Sequence, residues 1–139
     1  MASRQKKPNK RKKTSRKQIV SKLDAVFSKY IRHKYAVGGV VECYTCGVKK
    51  PIKEMQNGHF ISRRHYATRW SELNCKPQCY GCNVGAQGRQ YEFGLHLDAD
   101  YGPGTAEEIL FESRKITKYT DNELLEKIEH YSKLLKKLE

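Results

Sequence analysis

The chain of 139 residues is long enough for one modest domain, and its composition argues against a large core. Only 37% of the residues are hydrophobic whereas 31% are charged, so the core needs additional stabilisation, for which five cysteines are available. No apolar run approaches a membrane span and no signal peptide opens the sequence, which predicts an intracellular protein with no membrane partner. In a reducing compartment, paired cysteines favour metal over disulfides.

The formal net charge of +13 predicts a polyanionic partner, and this charge is unevenly distributed. Residues 1–17 hold nine basic residues and no acidic one, which leaves +4 for the remainder. We predict that this segment is a disordered basic tail that contacts nucleic-acid phosphates, Lys12 and Lys13 among them. A tail of this composition would equally serve solubility or non-specific binding, and it carries no information about catalysis.

Helical patterns precede and follow a central region of shorter elements. Apolar residues at helical spacing predict an amphipathic N-terminal helix from Thr14 to about Val37, with Thr14 or Ser15 as its cap. Residues 18–39 are taken as the helical segment between the basic tail and the central region. The central region, residues 40–101, contains all five cysteines and has short extended stretches. A further helix is predicted there from Asn83 to Leu97, although its glycines weaken it.

The C-terminal segment, residues 102–139, is predicted to be helical. Thr105 with Glu108 and Thr120 with Glu123 have the spacing of capping boxes. The last helix has an apolar seam with coiled-coil-like spacing, which fits either packing within the chain or a homodimer contact. The seam consists of Leu124, Ile128, Tyr131, Leu135 and Leu138.

Two C-x-x-C pairs predict a structural zinc site. A two-residue gap lets both thiolates of a pair face one ion, and two such pairs complete a tetrahedral site with four sulfur ligands. Because all four positions are then filled by protein, this Zn²⁺ should hold the fold and do no chemistry. The fifth cysteine, Cys75, is interpreted as a buried thiol. The predicted ligands are Cys43, Cys46, Cys79 and Cys82.

Three polar residues are arranged around the cysteine pairs in the order typical of an HNH nuclease. His59 lies between the pairs, Asn74 shortly precedes the second pair, and Asn83 directly follows it. The pattern predicts an α+β fold: a small zinc-stapled ββα-metal (HNH) core flanked by N-terminal and C-terminal helices. Two strands would present the histidine, and the helix after them would present the metal ligand.

Phosphodiester hydrolysis explains why these residue types are wanted together. A neutral imidazole accepts a proton from water near physiological pH. A divalent cation neutralises the scissile phosphate and the departing 3′ oxygen. Mg²⁺ prefers oxygen ligands and keeps several waters, so one amide oxygen plus DNA oxygens can hold it.

The central region also resembles the NinG (Rap) recombination protein family of bacteriophage lambda and its relatives. That resemblance implies an HNH-type endonuclease acting on branched recombination intermediates such as Holliday junctions or D-loops. It covers less than half of the chain. The motifs that carry it are Cys43-x-x-Cys46, Gly58-His59-Phe60, Asn74, Gln78-Cys79-x-x-Cys82-Asn83 and Tyr101-Gly102.

The resemblance implies a role for each matching residue. His59 would be the general base, Asn74 would brace the loop that carries it, and Asn83 would bind the catalytic Mg²⁺ or Mn²⁺. Many HNH proteins have aspartate just before the base as a second metal ligand, and here that position is Gly58. The replacement stays open among three candidates: His65, Asn57 and Glu42.

Basic residues beside the predicted base point to a DNA partner. We interpret Arg63, Arg64 and Arg69 as phosphate contacts, although they would also fit a solvated surface. His65 fits either the catalytic site or a phosphate contact.

The sequence therefore predicts a metal-dependent DNA endonuclease, and branched DNA is its expected substrate. The alternative is a non-catalytic zinc-ribbon protein that binds DNA or RNA, as a zinc-bearing ribosomal or RNA-binding module would. It explains the charge and the zinc but not the ordered His-Asn-Asn set. Symmetric resolution of a four-way junction would require two active sites, which makes a homodimer plausible. Substrate geometry and nicking versus double-strand cutting stay open.

Overall fold

The computed structural model describes residues 14–139 as an α+β fold with two small antiparallel sheets. Lys12, Lys13 and most of the predicted basic tail lie outside the described residues. Within residues 14–139, no helix has the length and apolar character needed to cross a membrane. The helices are α1 (Arg16–Lys34), α2 (Tyr66–Arg69), α3 (Gln90–Tyr101), α4 (Thr105–Ser113) and α5 (Asp121–Leu138); the strands are β1 (Val40–Glu42), β2 (Lys49–Pro51), β3 (Met55–His59) and β4 (Cys75–Cys79).

Helix α1 begins after the predicted cap residue Ser15 but ends earlier than the sequence predicts. Ser15 caps it through a reciprocal capping box with Gln18, so the last two residues assigned to the basic tail, Arg16 and Lys17, are helical. The helix ends at Lys34 rather than near Val37. The chain then turns back through two glycines with positive φ, which pairs Val37 with Val40.

The main hydrophobic core lies between α1 and α5, and the C-terminal seam packs into it. Four of the five seam residues are buried, three of them in one cluster with α1, and the Phe27 and Tyr131 rings meet edge to face at 4.8 Å. The seam is therefore used within the chain and is not available to a second copy. The capping box of Thr120 and Glu123 at the start of α5 is confirmed.

The other predicted capping box, at Thr105, is wrong. Thr105 is the first residue of α4 and its hydroxyl donates to the Gly102 carbonyl instead of accepting from the helix. The Asp98 carboxylate accepts from the Ala106 amide at 2.9 Å and supplies the missing cap. A carboxylate from α3 therefore caps α4, a contact between two helices that local spacing does not reveal.

Strands β3 and β4 form the hairpin that carries the candidate site. Their register pairs Met55 with Cys79 and His59 with Cys75, and β3 keeps one edge unpaired within the described residues. A short π-helical turn over Gly81–Gly85 follows β4. The predicted continuous helix from Asn83 to Leu97 is wrong, because residues 87–89 all have positive φ and α3 begins only at Gln90.

Candidate zinc centre and active-site cavity

The four predicted cysteines meet at one point. Their sulfur atoms all lie within 4.8 Å of one another, and the Cys46 and Cys79 sulfurs are 3.7 Å apart. The turn between β1 and β2 brings one pair, and the end of β4 with the turn after it brings the other. The Cys79 amide donates to the Cys43 sulfur at 3.3 Å, as backbone groups do around a bound thiolate. The cluster therefore has the donors and the closeness that a structural zinc site needs.

The electrostatics of the cluster also favour a cation. Burial opposes ionisation of Cys43, but hydrogen bonds from the backbone of Cys79 and Cys46 outweigh it and lower the pKa of Cys43 to about 6. A hydrogen bond from the Val48 backbone favours the thiolate of Cys46, but partial desolvation together with the three neighbouring sulfurs outweighs it and raises the pKa of Cys46 to about 12. A bound dication removes this conflict, since it neutralises crowded thiolates.

The fifth cysteine is separate from the cluster. Cys75 is fully buried between the hairpin and the α1–α5 core, and burial raises the pKa of its thiol. It is absent from the group of sulfurs that could share an ion among the described residues. It therefore behaves as a packed thiol, as predicted.

A cavity of about 520 Å³ opens beside β3, and both His59 and Asn83 line it. One wall comes from α1, through Asp24, Phe27 and Ser28. Other lining residues come from the turn after β4 and from the residues that lead into α3. The remaining lining residues are Gln56, Asn57, Ser62, Arg63, Val84, Gln87, Gly88 and Gln90.

The surroundings of His59 define which ring nitrogen can act as a base. Its Nε2 lies 2.9 Å from the Arg69 carbonyl oxygen, which can only accept, so Nε2 carries the proton and Nδ1 keeps the lone pair. Burial, with a smaller contribution from nearby arginines, lowers the pKa of His59. The ring is therefore neutral near pH 7 and able to accept a proton.

Asn74 is fully buried and braces the loop between β3 and β4. Its amide nitrogen donates to the carbonyls of Ile61 and Thr68, each at 3.0 Å, and its oxygen accepts from the Ile61 amide at 2.8 Å. Because this loop also supplies the carbonyl of Arg69 to His59, Asn74 acts on the ring only through the backbone. It does not line the cavity.

Asn83 lies in the turn after β4 and is half-buried. Its Nδ2 donates to Oε1 of Gln56 at 2.7 Å, a contact that the sequence analysis missed. With the nitrogen engaged, the Asn83 amide oxygen is the group left for a ligand. No signal in the spacing marks Gln56, because its position depends on the hairpin register.

Comparison with known proteins agrees with this assembly of motifs. A family model described as bacteriophage lambda NinG protein matches residues 1–139, the whole chain. The chain belongs to the NinG family. Neither the curated proteins nor the solved structures contain a significant match to it. The resemblance that the motifs indicated over the central region thus extends over the entire length.

The arginines of this NinG-family chain occupy different environments. Arg63 lines the cavity, whereas Arg64 is exposed and lies outside its lining. Arg69 is held by a two-pronged contact to Asp24, with Nη2–Oδ2 at 2.6 Å and Nε–Oδ1 at 3.1 Å. Asp24 also accepts from the Trp70 ring nitrogen at 2.9 Å. Arg69 therefore has a structural contact with Asp24 in place of a phosphate contact. Of the three arginines predicted to contact phosphate, only Arg63 lines the cavity.

The three candidates for a second metal ligand separate clearly in space. His65 precedes α2 and does not line the cavity, and Glu42 lines a different cavity beside the cysteine cluster. Asn57 lines the same cavity as Asn83, and its amide oxygen is buried with no hydrogen-bond partner among the described residues. Buried oxygens are normally satisfied, so this one is available for a water or an ion.

Gly58 is glycine because Gln78 crosses over it. A Cβ atom at residue 58 would overlap the amide oxygen of Gln78 and lie 2.6 Å from its Cγ. Gln78 is fully buried and its amide nitrogen donates to the Gly88 carbonyl at 2.9 Å, so it cannot easily move aside. An aspartate at position 58 is therefore excluded by packing.

We predict that Gly58→Ala destabilises the protein by about 1–3 kcal/mol, the usual cost of overpacking a filled core. The measurement is urea unfolding of the zinc-loaded protein. Gly85→Ala is the matched control, because no heavy atom lies within 4 Å of the Cβ it would add. Equal stability of the two variants would contradict the tight packing of Gln78 on residue 58.

Proposed function

We propose that this NinG-family chain is a divalent-metal-dependent DNA endonuclease with an HNH-type ββα site. The observation that carries the proposal is that the imidazole of His59 and the amide of Asn83 line one cavity. The hairpin β3–β4 presents the histidine, and the turn anchored by Cys79 and Cys82 presents the asparagine. The structural Zn²⁺ proposed for the cysteine cluster would hold these parts together.

The oxygen donors in the cavity fit Mg²⁺ or Mn²⁺. Asn83 is proposed as a ligand through its amide oxygen, and Asn57 offers a buried oxygen without a partner on the same cavity. Neutral amides with several waters and phosphate oxygens suit a hard cation that is reluctant to lose its hydration shell. When bound, the cation supplies positive charge against the scissile phosphate and the leaving oxygen.

His59 is proposed as the general base. Its Nδ1 accepts a proton from a water molecule in the cavity as that water attacks phosphorus. The P–O3′ bond breaks, and the departing 3′ oxygen takes a proton from solvent, which leaves a 5′ phosphate and a 3′ hydroxyl. The Arg69 carbonyl holds the Nε2 proton and stabilises the imidazolium that forms.

The proposed substrate is DNA, with branched recombination intermediates as the class that the family resemblance implies. Arg63 at the cavity is positioned for a phosphate of the cut strand. The basic N-terminal segment adds sequence-independent attraction that weakens with salt. A homodimer and an intracellular site in the phage-infected host stay predictions, and the α5 seam no longer offers a surface for the dimer.

A cleavage panel tests the proposal. Holliday junction, flap, D-loop and plain duplex DNA are incubated with the zinc-loaded protein in Mg²⁺ or Mn²⁺ at one fixed salt concentration. Cleavage of DNA that stops when the divalent ion is omitted, with zinc retained, supports the nuclease. Binding to DNA or structured RNA without any cleavage would instead support the non-catalytic zinc-ribbon alternative.

A further inference from the structure

Gln56 occupies a distinctive position next to the proposed metal ligand. It lies on β3 directly opposite Gln78, is half-buried, and lines the same cavity as Asn83 and His59. Its Oε1 accepts from Nδ2 of Asn83 at 2.7 Å, and this is the hydrogen bond found for the Asn83 side chain among residues 14–139. The two amides therefore form a pair at the wall of the cavity.

The chemistry of the amide makes this pairing directional. An asparagine side chain has a donor nitrogen on one side and an acceptor oxygen on the other, and only the oxygen binds a hard cation. When the nitrogen is held by Gln56, the oxygen of Asn83 is turned away from Gln56. Without this hydrogen bond the Asn83 amide could rotate, and in a fraction of the molecules its nitrogen would face the ion.

We propose that Gln56 is a positioning residue, which orients the amide of Asn83 so that its oxygen faces the divalent cation. This inference rests on the proposed function, because it takes Asn83 as the ligand. Residues that hold metal ligands from behind typically contribute a factor of about 10–100 to metal affinity. Gln56 would thus act on the cation without touching it.

Two substitutions separate orientation from packing. Gln56→Met keeps the length of the side chain and removes the acceptor, whereas Gln56→Glu keeps an acceptor and cannot donate. We expect Gln56→Met to weaken Mn²⁺ binding about 10–100-fold. We expect Gln56→Glu to bind Mn²⁺ at least as tightly as the wild type, since a carboxylate can only hold Asn83 by its nitrogen.

The readout is an electron paramagnetic resonance titration of Mn²⁺ into the full-length, zinc-loaded protein bound to a non-hydrolysable DNA, with the signal of the DNA alone subtracted. The DNA is included because the proposed site uses phosphate oxygens as well as amides. Zinc content and melting temperature are measured on each variant to show that the fold is kept. Gln87→Met is the matched control, because Gln87 lines the same cavity and has no hydrogen bond to Asn83. Its Mn²⁺ affinity should equal that of the wild type.

The outcomes distinguish the role of Gln56 from that of Asn83. The positioning role would be overturned if Gln56→Met bound Mn²⁺ with wild-type affinity, or if Gln56→Glu bound it as weakly as Gln56→Met does. In both cases Asn83→Ala would still lose the ion. Wild-type affinity in Asn83→Ala would overturn the ligand assignment of the proposed function, and the inference with it. Loss of affinity in Gln87→Met equal to that in Gln56→Met would show a general effect of the cavity wall and also overturn the role.

Discussion

Replacing His59 by alanine should reduce DNA cleavage by a factor of about 10²–10⁴, the usual contribution of a general base. The reason is that no other described side chain with a titratable nitrogen near neutral pH lines the cavity. DNA binding should change little, because the proposed phosphate contacts come from Arg63 and the basic N-terminal segment. Single-turnover cleavage and fluorescence anisotropy measure the two effects separately.

His65→Ala is the matched control for this substitution. His65 lies in the same loop region but outside the cavity lining, so its loss should leave the rate near that of the wild type. Because His59 also bonds to the Arg69 carbonyl, the melting temperature of His59→Ala must be recorded beside the rate. A folded His59→Ala protein that cleaves as fast as the wild type would remove the hydrolytic mechanism.

The pH dependence of the rate gives an independent check on the same residue. A base works only when unprotonated, and burial lowers the pKa of His59. The cleavage rate should therefore stay on its plateau as the pH falls through 6.5, the ordinary histidine value, and decline only below it. His65→Ala should keep this acid limb, whereas any residual activity of His59→Ala should lack it.

The parts of the structure that were predictable from sequence depend on local spacing. The C-x-x-C pairs predict that four sulfurs meet, because each pair is a short turn with few ways to direct two thiolates. The Thr120 capping box is equally local, since both of its hydrogen bonds join residues three apart. The positions of His59 and Asn83 on one cavity also follow from motif order around the cysteine cluster.

The parts that were missed depend on contacts between distant segments. Gln56 reaches Asn83 across 27 positions, and Asp24 reaches Arg69 across 45. Neither contact leaves a periodic signal, because each depends on the hairpin register or on how α1 packs. The break before α3 was missed for a related reason: Gln87 and Arg89 adopt positive φ, which their own propensities disfavour and the surrounding structure must impose.

Removing the proposed zinc should have the largest effect on stability. Structural zinc sites in small domains contribute on the order of 10–16 kcal/mol of apparent binding free energy, which is comparable to the usual stability of a whole domain. The cysteine cluster also has only a small apolar neighbourhood, consisting of Val41, Met55 and partly buried residues around them. Chelation should therefore unfold the hairpin and its flanking turns.

The core between α1 and α5 is a separate cluster, so unfolding should be uneven along the chain. Hydrogen exchange measures this directly. After chelation, the amides of β3 and β4 should lose protection first, while those in the middle of α1 and α5 keep part of theirs. Uniform loss of protection would show instead that the helical pair depends on the hairpin for its stability.

Cys46→Ser is the sharpest substitution for this prediction. Cys46 is the exposed member of the cluster, so replacing its sulfur by oxygen removes a ligand and creates no cavity. Cys75→Ser is the control for zinc content, since Cys75 is separate from the four sulfurs. It is not a control for cleavage, because its thiol lies 3.6 Å from the Arg69 carbonyl that holds His59. Zinc content should fall in Cys46→Ser alone. Cleavage by Cys46→Ser should fall as well, because His59 and Asn83 keep their shared cavity only while the hairpin and the turn after it are held together. Full zinc content and full activity in Cys46→Ser would detach the cysteine cluster from the nuclease site.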